Sequence, residues 1–320
     1  MNDFPKEALE IMVVDGESED RTREIIRSYV ESNSCIRLLN NPGKIQTIAT
    51  NIALKSASGN IIIRMDAHAE YPPDYISKCV YWLLRSGEDG VGGIIKTVPG
   101  ASTDFGRTIA LALSHPFGVG NTHFRTGVTT PRFVDTIPFG CYSSKVFKKV
   151  GLFNERLNRT DDIEFNLRLK RSGSKLLLIP DICSRYYARP DLPSLAKQQF
   201  GNGFWVTYSL KFAKLPFSTR HLVPLSFVLS LTAGSLFSLW FKPLGSLSYL
   251  ALVVYAILNS FFSYRISAHE EKRLFPALIV TFFVLHISYG IGSLMGLAKL
   301  MFERFISARS EGSLSADIRL

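Results

Sequence analysis

Cysteine is scarce in this chain of 320 residues, and the four that occur are far apart and form no C-x-x-C pair. They are Cys35, Cys79, Cys141 and Cys183. Without closely spaced cysteines, a zinc site or a disulfide framework is not expected, and a reducing compartment is favoured. The first ten residues are charged and contain Pro5, which predicts no signal peptide. No G-x-G-x-x-G occurs either, so nothing supports a dinucleotide-dependent dehydrogenase.

Charged residues are missing from three long stretches of the C-terminal third, although the mean hydropathy of the whole chain is only +0.13. Residues 222–241, 243–264 and 274–298 contain no Asp, Glu, Lys or Arg. A transmembrane helix needs about 20 apolar residues, so each stretch is long enough to span a bilayer. Buried core helices are the alternative, but three such runs in succession favour a membrane domain. The sequence therefore predicts a membrane domain over 222–301 with about three transmembrane helices, followed by a polar tail over 302–320.

The net charge of +10 is concentrated beside these apolar runs. Between Arg185 and His221 there are six Lys or Arg residues and one acid, Asp191. No zinc-finger, RNA-recognition or arginine-rich pattern accompanies the excess, so a nucleic-acid partner is not predicted. Basic residues beside apolar spans are typical of the cytoplasmic side of a membrane. We therefore expect a basic amphipathic interfacial segment over 194–221 and a multi-pass protein of the inner membrane with a cytoplasmic catalytic domain.

The same rule places the loop that contains Arg265, Lys272 and Arg273 inside and the C-terminal tail outside. Because the tail itself carries Arg304, Arg309 and Arg319, a re-entrant third span stays open as an alternative.

The N-terminal part alternates predicted strands with predicted helices. Strands are predicted over 10–15, 35–39, 60–65, 90–98 and 176–179, and helices over 18–30, 44–57, 74–86, 144–150 and 161–172, the first with Ser18 as its N-cap. Such alternation predicts βαβ units, an α/β fold and a mostly parallel sheet within a domain over 1–193. The segment 101–131, rich in Gly, Thr and His, is interpreted as a long active-site loop with some helix. Within it, His115, His123 and Arg125 are candidates to meet a diphosphate or a lipid pyrophosphate, with a plain polar loop as the alternative.

Two acidic motifs follow predicted strands. Asp15 ends the run Val13-Val14-Asp15, where a carboxylate can accept from a uracil N3–H or a ribose hydroxyl; the alternative is a turn that caps the next helix. Asp66 and His68 stand one residue apart in Arg64-Met-Asp-Ala-His68. On an extended segment alternate residues point the same way, so both side chains could meet one Mg²⁺ or Mn²⁺. Such a cation neutralises the charge of a nucleotide diphosphate leaving group.

Three further segments extend these motifs: Asn41-Pro-Gly-Lys44 leading to Asn51, Phe139-Gly-Cys-Tyr before Val150, and Arg159-Thr-Asp-Asp-Ile-Glu-Phe-Asn-Leu-Arg-Leu169. Together and in this order, the five motifs resemble the inverting family-2 glycosyltransferases, which have the GT-A fold. The resemblance covers essentially the whole chain. Within this family the sequence is similar to the branch that includes succinoglycan-biosynthesis glucosyltransferases, which also have Asp-Ala-His where other members have D-x-D.

The resemblance implies a role for each matching residue. Asp15 and Asp66 would bind the nucleotide-sugar, and His68 would replace the second metal-binding acid beside Asp66. Apart from the resemblance, Lys44 follows a Pro-Gly turn and is a candidate to bind a phosphate of the nucleotide-sugar, although the sequence does not satisfy a P-loop. Asp162 would be the general base of a catalytic pair with Asp161, whose charge would raise the base's pKa. The alternative for these acids is an exposed helix start, where negative charge suits the dipole. On the acceptor side would lie Glu164, Gln198 and Trp205, although an aromatic residue at a bilayer interface is common without any such role.

The implied reaction is transfer of a sugar from a nucleotide-sugar such as UDP-glucose to a polyprenyl-linked saccharide, in extracellular or capsular polysaccharide synthesis. The family begins with a strand carrying a P-x-x-N-E segment, and we expect this strand to be missing here because Met1 stands fourteen residues before Asp15. A catalytically impaired membrane scaffold is therefore an alternative. A nucleotidyltransferase would need a glycine-rich N-terminal phosphate loop with basic residues, which the sequence does not contain.

Overall fold

The computed structural model describes residues 2–213, 219–238, 240 and 242–317, which form two compact units. The first unit comprises Met1–Thr97 and Thr122–Tyr187, and the second comprises Val98–Asn121 and Ala188–Leu320. The predicted domain over 1–193 differs from the first unit because residues 98–121 belong to the second.

The first unit begins with a parallel strand pair and the helix between its strands. These are β1 (Ile11–Asp15), α1 (Thr22–Ser32) and β2 (Ile36–Asn40), followed by α2 (Gln46–Ser56). Asp15 lies opposite Asn40, so the carboxyl ends of both strands meet at one edge. The strands and helices agree with the sequence prediction, but Ser18 as N-cap is wrong. The helix begins only at Thr22, and the Ser18 hydroxyl instead donates to Asp15 Oδ1 (2.5 Å).

A six-stranded sheet forms the rest of the first unit. The elements that follow α2 up to Tyr187 are β3 (Ile61–Ile63), β4 (Ala69–Glu70), α3 (Tyr75–Ser86), β5 (Gly90–Val98), α4 (Asp104–Leu113), α5 (Pro116–Val119), α6 (His123–Thr126), β6 (Arg132–Val134), β7 (Cys141–Ser143), α7 (Lys145–Val150), α8 (Asp161–Arg171) and β8 (Leu176–Tyr187). The strand order is β3-β7-β5-β8-β4, with β6 also paired to β8.

The sheet is mixed rather than mostly parallel, which corrects the sequence prediction. Strand β7 enters between β3 and β5 and is antiparallel to both, and β8 is antiparallel to β4 and β6. The reason is that β7 and β6 come from segments in which no strand was predicted, so the βαβ pattern covered only part of the sheet.

Two apolar clusters fix α3 and α8 against this sheet. Helix α3 contributes Tyr75 and Cys79 to a core shared with β5, β7 and β8. Helix α8 contributes fully buried Phe165, whose ring stacks on Phe153 with centroids 4.4 Å apart. Burial of one such aromatic side chain contributes about 1.5–3 kcal/mol. The start of α8, which carries Asp161 and Asp162, is thus held by packing within its own unit.

The second unit is helical. Besides α4 and α5 it contains α9 (Leu192–Tyr208), α10 (Thr219–Phe237), α11 (Lys242–His269) and α12 (Phe275–Asp317). Three of its segments are long and apolar enough to cross a membrane: Arg220–Phe237, Lys242–His269 and Lys272–Ser307. The three predicted apolar runs are therefore helical. The predicted polar tail is largely a continuation of α12, whereas residues 214–218, 239, 241 and 318–320 of the predicted segments lie outside the described residues.

Helices α9 and α12 approach closely where both carry glycine. A Cβ on Gly203 would lie 2.0 Å from the Tyr289 carbonyl oxygen, and one on Gly292 would lie 2.1 Å from that of Phe200. The Thr207 hydroxyl donates to the Ser293 carbonyl (2.8 Å) across the same contact. Small residues at such a crossing let two backbones come together, as in the G-x-x-x-G pattern that Gly292 forms with Gly296.

Candidate functional site

Asp15 is buried at the carboxyl end of β1 and is held as a carboxylate. It accepts from the backbone N–H and the hydroxyl of Ser18, at 3.0 and 2.5 Å, and from Arg23 at 3.1 Å. The Ser18 hydroxyl, with its backbone N–H and the nearby Arg23 charge, lowers the pKa of Asp15 against the opposing effect of burial. An ionised acceptor therefore stands at the edge where β1 and β2 end, the usual ligand position in an open α/β sheet.

Lys44 lies in the loop after β2, next to the Asp15 loop. Its φ is +54° and that of Glu17 is +61°, so both loops use the left-handed region that only turns commonly require. The Lys44 ammonium is 3.7 Å from the Glu17 carboxylate, and both side chains are exposed. The pair is accessible to a ligand, and the phosphate role of Lys44 stays a prediction.

Asp66 and His68 do not lie on an extended segment. The backbone turns here, with Ala69 N–H donating to the Asp66 carbonyl (3.3 Å), so the alternation used to join the two side chains does not apply. Asp66 Oδ1 accepts from Gln46 (3.1 Å) and lies 3.6 Å from Arg64 Nε. The exposed His68 ring packs edge-on against Tyr186. Among the described residues no three His, Cys, Asp or Glu side chains form a metal-binding group, and the metal role of both residues stays a prediction.

Arg64 connects the two acidic motifs. Its Nη1 donates to Asp161 Oδ2 at 2.7 Å, and its guanidinium lies 5.5 Å from the centre of the Phe153 ring. Arg64 and Asp161 are 97 positions apart in sequence, yet both side chains are largely buried. The carboxylates of Asp66 and Asp161 are thereby gathered around one guanidinium.

Asp162 is the acid of this group whose protonation is most perturbed. Burial and the neighbouring Asp161 charge raise its pKa to about 6, while Arg64 and the Ile163 N–H oppose the shift. The Ile163 N–H donates to Asp162 Oδ1 at 2.8 Å. A carboxyl group with a pKa near neutrality can both lose and accept a proton under physiological conditions, which is the property of a general base. The expected effect of Asp161 on this pKa is present, and the catalytic assignment itself stays a prediction.

The backbone before Asp161 is strained. Thr160 has φ of +64°, which a β-branched residue rarely adopts, and it is the residue that precedes the first turn of α8. Local strain of this kind costs about 1–3 kcal/mol and persists only where surrounding contacts fix it. Here it sets the direction in which α8 begins and hence where Asp161 and Asp162 lie.

Glu164 forms an ion pair within α8. Both of its carboxylate oxygens accept from Arg168, at 2.7 and 2.9 Å, and Arg168 also donates to the carbonyls of Val150 and Leu152. The bidentate pair lies within α8 and orients Arg168, whose bonds to the two carbonyls tie α8 to the end of α7 and the loop after it. Its predicted acceptor-binding role stays a prediction.

Gln198 and Trp205 lie on α9 in the second unit. The Trp205 ring packs edge-on with Phe204 and Tyr208, with centroids 6.1 and 5.7 Å apart. These contacts form an aromatic cluster along α9. The acceptor-binding role of Gln198 and Trp205 stays a prediction.

Several residues that contact the site acids were not predicted from the sequence. Arg64 is part of the Arg64–His68 motif but was given no function, and Gln46, Arg23 and Ser18 were not predicted to contact the acids. Asn51 stood in another quoted motif, and its side-chain amide exchanges hydrogen bonds with the Phe153 backbone, at 2.8 and 3.0 Å, which fixes the loop before α8. The sequence signal for Arg64 was its position at the end of a hydrophobic strand, two residues before Asp66. Its partner Asp161 is 97 positions away, so spacing did not predict the pair.

Residues 2–151, which contain Asp15, Lys44, Asp66 and His68, match the family model described as glycosyl transferase family 2. This match supports a glycosyltransferase whose residues 2–151 form a family 2 domain.

Two relatives match this glycosyltransferase over most of its length. The succinoglycan biosynthesis protein ExoA of Rhizobium meliloti is 28% identical over 288 residues, covering 88% of this chain and 84% of the relative. A dolichyl N-acetyl-alpha-D-glucosaminyl phosphate 3-beta-D-2,3-diacetamido-2,3-dideoxy-beta-D-glucuronosyltransferase of Methanococcus voltae is 29% identical, covering 93% and 90%.

A solved structure shows the fold of the chain. It is the mannosyltransferase PcManGT from Pyrobaculum calidifontis in complex with GDP-Man and Mn²⁺, with a TM-score of 0.54 and 17% identity over 90% of this chain and 79% of that one. This likeness confirms the GT-A fold that the sequence motifs predicted.

Proposed function

We propose that this glycosyltransferase works in glycan biosynthesis, transferring a sugar from a nucleotide-sugar, UDP-glucose, to a hydroxyl of a polyprenyl-linked saccharide with inversion at the anomeric carbon. The observation that carries the proposal is the acidic pair at the start of α8. Asp161 is bound by Arg64 at 2.7 Å, whereas the pKa of Asp162 is raised to about 6. Asp161 is thus paired with a guanidinium, and the raised pKa of Asp162 suits that side chain to exchange a proton.

In the proposed mechanism Asp162 takes the proton of the acceptor hydroxyl while that oxygen forms a bond to the anomeric carbon. The bond between this carbon and the donor phosphate oxygen breaks, and its electron pair leaves with the nucleoside diphosphate. A single displacement of this kind inverts the anomeric configuration. Arg64 holds Asp161 in place beside the base by its 2.7 Å bond, and the Asp161 charge increases the proton affinity of Asp162. General base catalysis contributes about 10²–10⁴-fold to such rates.

The donor is held by residues at the carboxyl ends of the strands. Asp15, ionised through its Ser18 and Arg23 contacts, accepts from the ribose or the base, and Lys44 lies within the adjoining loop to meet a phosphate. Two neighbouring loop turns with positive φ bring these side chains to one edge.

A divalent cation, Mg²⁺ or Mn²⁺, fits the residues present. Asp66 uses only Oδ1 in its contacts with Gln46 and Arg64, and its Oδ2 has no partner among the described residues. Mg²⁺ is commonly bound by one or two carboxylates together with substrate phosphates, so Asp66, with His68 nearby in the turn, would hold it. When bound, the cation neutralises charge on the leaving diphosphate. The Mn²⁺ in the GDP-Man complex of the mannosyltransferase supports a cation in this fold.

The membrane and the lipid-linked acceptor are supported by the second unit and by one relative. Three helices have the length and composition to cross a bilayer, and the Methanococcus voltae relative is named for a dolichyl-linked acceptor. We infer a multi-pass protein of the inner membrane whose catalytic residues face the cytoplasm, with Gln198, Trp205 and Glu164 on the acceptor side.

The test is transfer of radiolabelled sugar to a membrane lipid extract with Mn²⁺, using UDP-glucose and, in parallel, GDP-mannose as donors. The proposal expects lipid-extractable label with UDP-glucose, lost on addition of EDTA and in Asp162→Asn. Label from GDP-mannose alone would reject the donor. Equal transfer by wild type and Asp162→Asn would reject the base. A folded protein that neither transfers sugar nor binds nucleotide and Mn²⁺ in calorimetry would favour a scaffold.

A further inference from the structure

Arg125 is a partly buried cation in the first unit that the proposed reaction does not use. It lies on α6, just before Gly127, whose φ of +87° ends this short helix. Its guanidinium is 4.9 Å from the centre of the Tyr186 ring and 5.8 Å from that of Phe124, and its Nη1 lies 3.4 Å from Thr97 Oγ1. The side chain is therefore surrounded by aromatic rings and a hydroxyl.

Three other arginines of the first unit that are partly withdrawn from solvent are each paired with a carboxylate. Arg64 pairs with Asp161, Arg23 with Asp15 and Arg168 with Glu164. Among the residues that the structure describes, Arg125 has no ion pair with an acid, and burial lowers its pKa. A cation removed from water needs a compensating anion, because desolvation costs several kcal/mol and a cation–π contact returns only about 1–2 kcal/mol.

The Arg125 cluster, defined as Arg125, Tyr186 and His68, adjoins the acidic turn. Tyr186 lies on β8 directly opposite Ala69, and the His68 ring meets the Tyr186 ring edge-on with centroids 5.6 Å apart. His68 lies two residues after Asp66, in the turn for which the cation was proposed. Tyr186 therefore contacts both the Arg125 guanidinium and the His68 ring, which places Arg125 next to the turn that contains Asp66.

We propose that the Arg125 cluster is a phosphate-binding site in which the Arg125 guanidinium binds a phosphate group of a substrate and Tyr186 and His68 position it. A guanidinium offers two parallel N–H donors that match a phosphate, and a ring beneath it fixes its plane. The inference rests on the proposed function, which supplies two phosphate sources, the diphosphate of the nucleotide-sugar and the phosphate of the polyprenyl-linked acceptor.

The experiment uses the full chain in nanodiscs and compares wild type, Arg125→Gln, Arg125→Lys and a matched control, Arg132→Gln. Arg132 lies exposed on β6, outside the proposed site. Calorimetry measures binding of UDP, uridine, inorganic pyrophosphate and polyprenyl phosphate, and thermal unfolding confirms that each variant is folded.

We expect Arg125→Gln to weaken phosphate binding by about 10- to 100-fold, as for a lost charge-assisted hydrogen bond, with partial recovery in Arg125→Lys and no change in Arg132→Gln. Weaker UDP binding with unchanged uridine binding assigns the site to the donor. Weaker polyprenyl phosphate binding with unchanged UDP binding assigns it to the acceptor.

Two outcomes overturn the inference. One is binding of all four probes by Arg125→Gln as tightly as by wild type, and the other is a wild type that binds no phosphate probe. If wild type transfers sugar and Arg125→Gln binds the phosphate probes as tightly as wild type, the phosphate-site inference fails and the proposed function stands. If wild type binds phosphates through Arg125 but transfers no sugar, the proposed function fails and the site stands.

Discussion

Arg64 Nη1 lies 2.7 Å from Asp161 Oδ2, and this ion pair joins the end of β3 to the start of α8. The pair gives two consecutive acids different surroundings. Asp161 is compensated by a guanidinium, whereas Asp162 experiences burial and the Asp161 charge, which raise its pKa to about 6. The division of work within the acidic pair therefore depends on a basic residue from a different motif.

Replacing Asp162 by Asn should reduce kcat by about 10²–10⁴-fold, because the base is lost while the shape of the side chain is kept. Nucleotide binding should change little, since Asp15 and its contacts are untouched. Initial rates and calorimetry check this, with Asp181→Asn, an exposed acid on β8, as the matched control. A variant that retains more than a tenth of the wild-type rate would remove Asp162 from the mechanism.

The pH dependence of kcat/KM should show a single acidic limb. Asp162 acts as a base only when ionised, so the rate should fall about tenfold per pH unit below about pH 6 and level off above it. Because the Arg64 charge lowers this pKa, Arg64→Gln should move the limb to higher pH. A limb near pH 4 in wild type, or a shift to lower pH in the variant, would contradict the assignment.

Asp162→Asn should also stabilise the folded protein at neutral pH. The folded pKa of about 6 lies above the ordinary value of 3.8, so the folded state binds the proton more tightly and ionisation at higher pH costs stability. The cost is absent below pH 3.8 and complete above pH 6, where it amounts to about 1–3 kcal/mol. Thermal unfolding in nanodiscs should show the variant melting above wild type at pH 7.5 and together with it at pH 4. Equal melting at both values would argue against the raised pKa.

Arg64→Met should destabilise the protein by about 3–5 kcal/mol, because Asp161 would be left buried without its cation. Asp161→Asn in the same background should recover part of this loss. The check is a double-mutant cycle from chemical or thermal unfolding of the four proteins. Additive effects would show that the 2.7 Å contact has no energetic coupling.

The α9–α12 contact should not tolerate a methyl group. Gly292→Ala and Gly296→Ala would place a Cβ 2.1 and 2.3 Å from the carbonyl oxygens of Phe200 and Phe204, so each should lower the melting temperature despite a helix-propensity gain of about 1 kcal/mol. Gly59→Ala is the matched control, since its Cβ would meet only the Ile61 carbonyl at 3.5 Å. Unchanged melting of both helical variants would refute the close approach.

Local sequence patterns were sufficient for the elements that carry Asp15 and the apolar helices. The strand over 11–15 and the three apolar helices follow from hydrophobic runs, which are local properties of the chain. The antiparallel insertion of β7 was not predictable in the same way, because its three residues carry no periodicity of their own. Ser18 failed as an N-cap because a side-chain contact with Asp15 competed with capping.

The candidate site was predictable in its acids and not in its cations. Asp15, Asp66 and Asp162 stand at ends of elements, where a motif can be recognised by position. Arg64 acquires its meaning only from Asp161, 97 positions away, and Arg125 only from the ring of Tyr186. Pairings of this length are fixed by the sheet order and by packing, which no window of sequence contains.

Helix α12 has a consequence for how the protein meets the bilayer. Its 43 residues give an axis of about 64 Å at 1.5 Å per residue, roughly twice the ~30 Å hydrocarbon thickness. Even at a tilt of about 40°, the upper end of the range for membrane helices, α12 is longer than the hydrocarbon layer is thick, so part of it extends beyond that layer. Since α9 packs closely against α12 through glycines, a translation or tilt of α12 would be transmitted to Trp205 on α9.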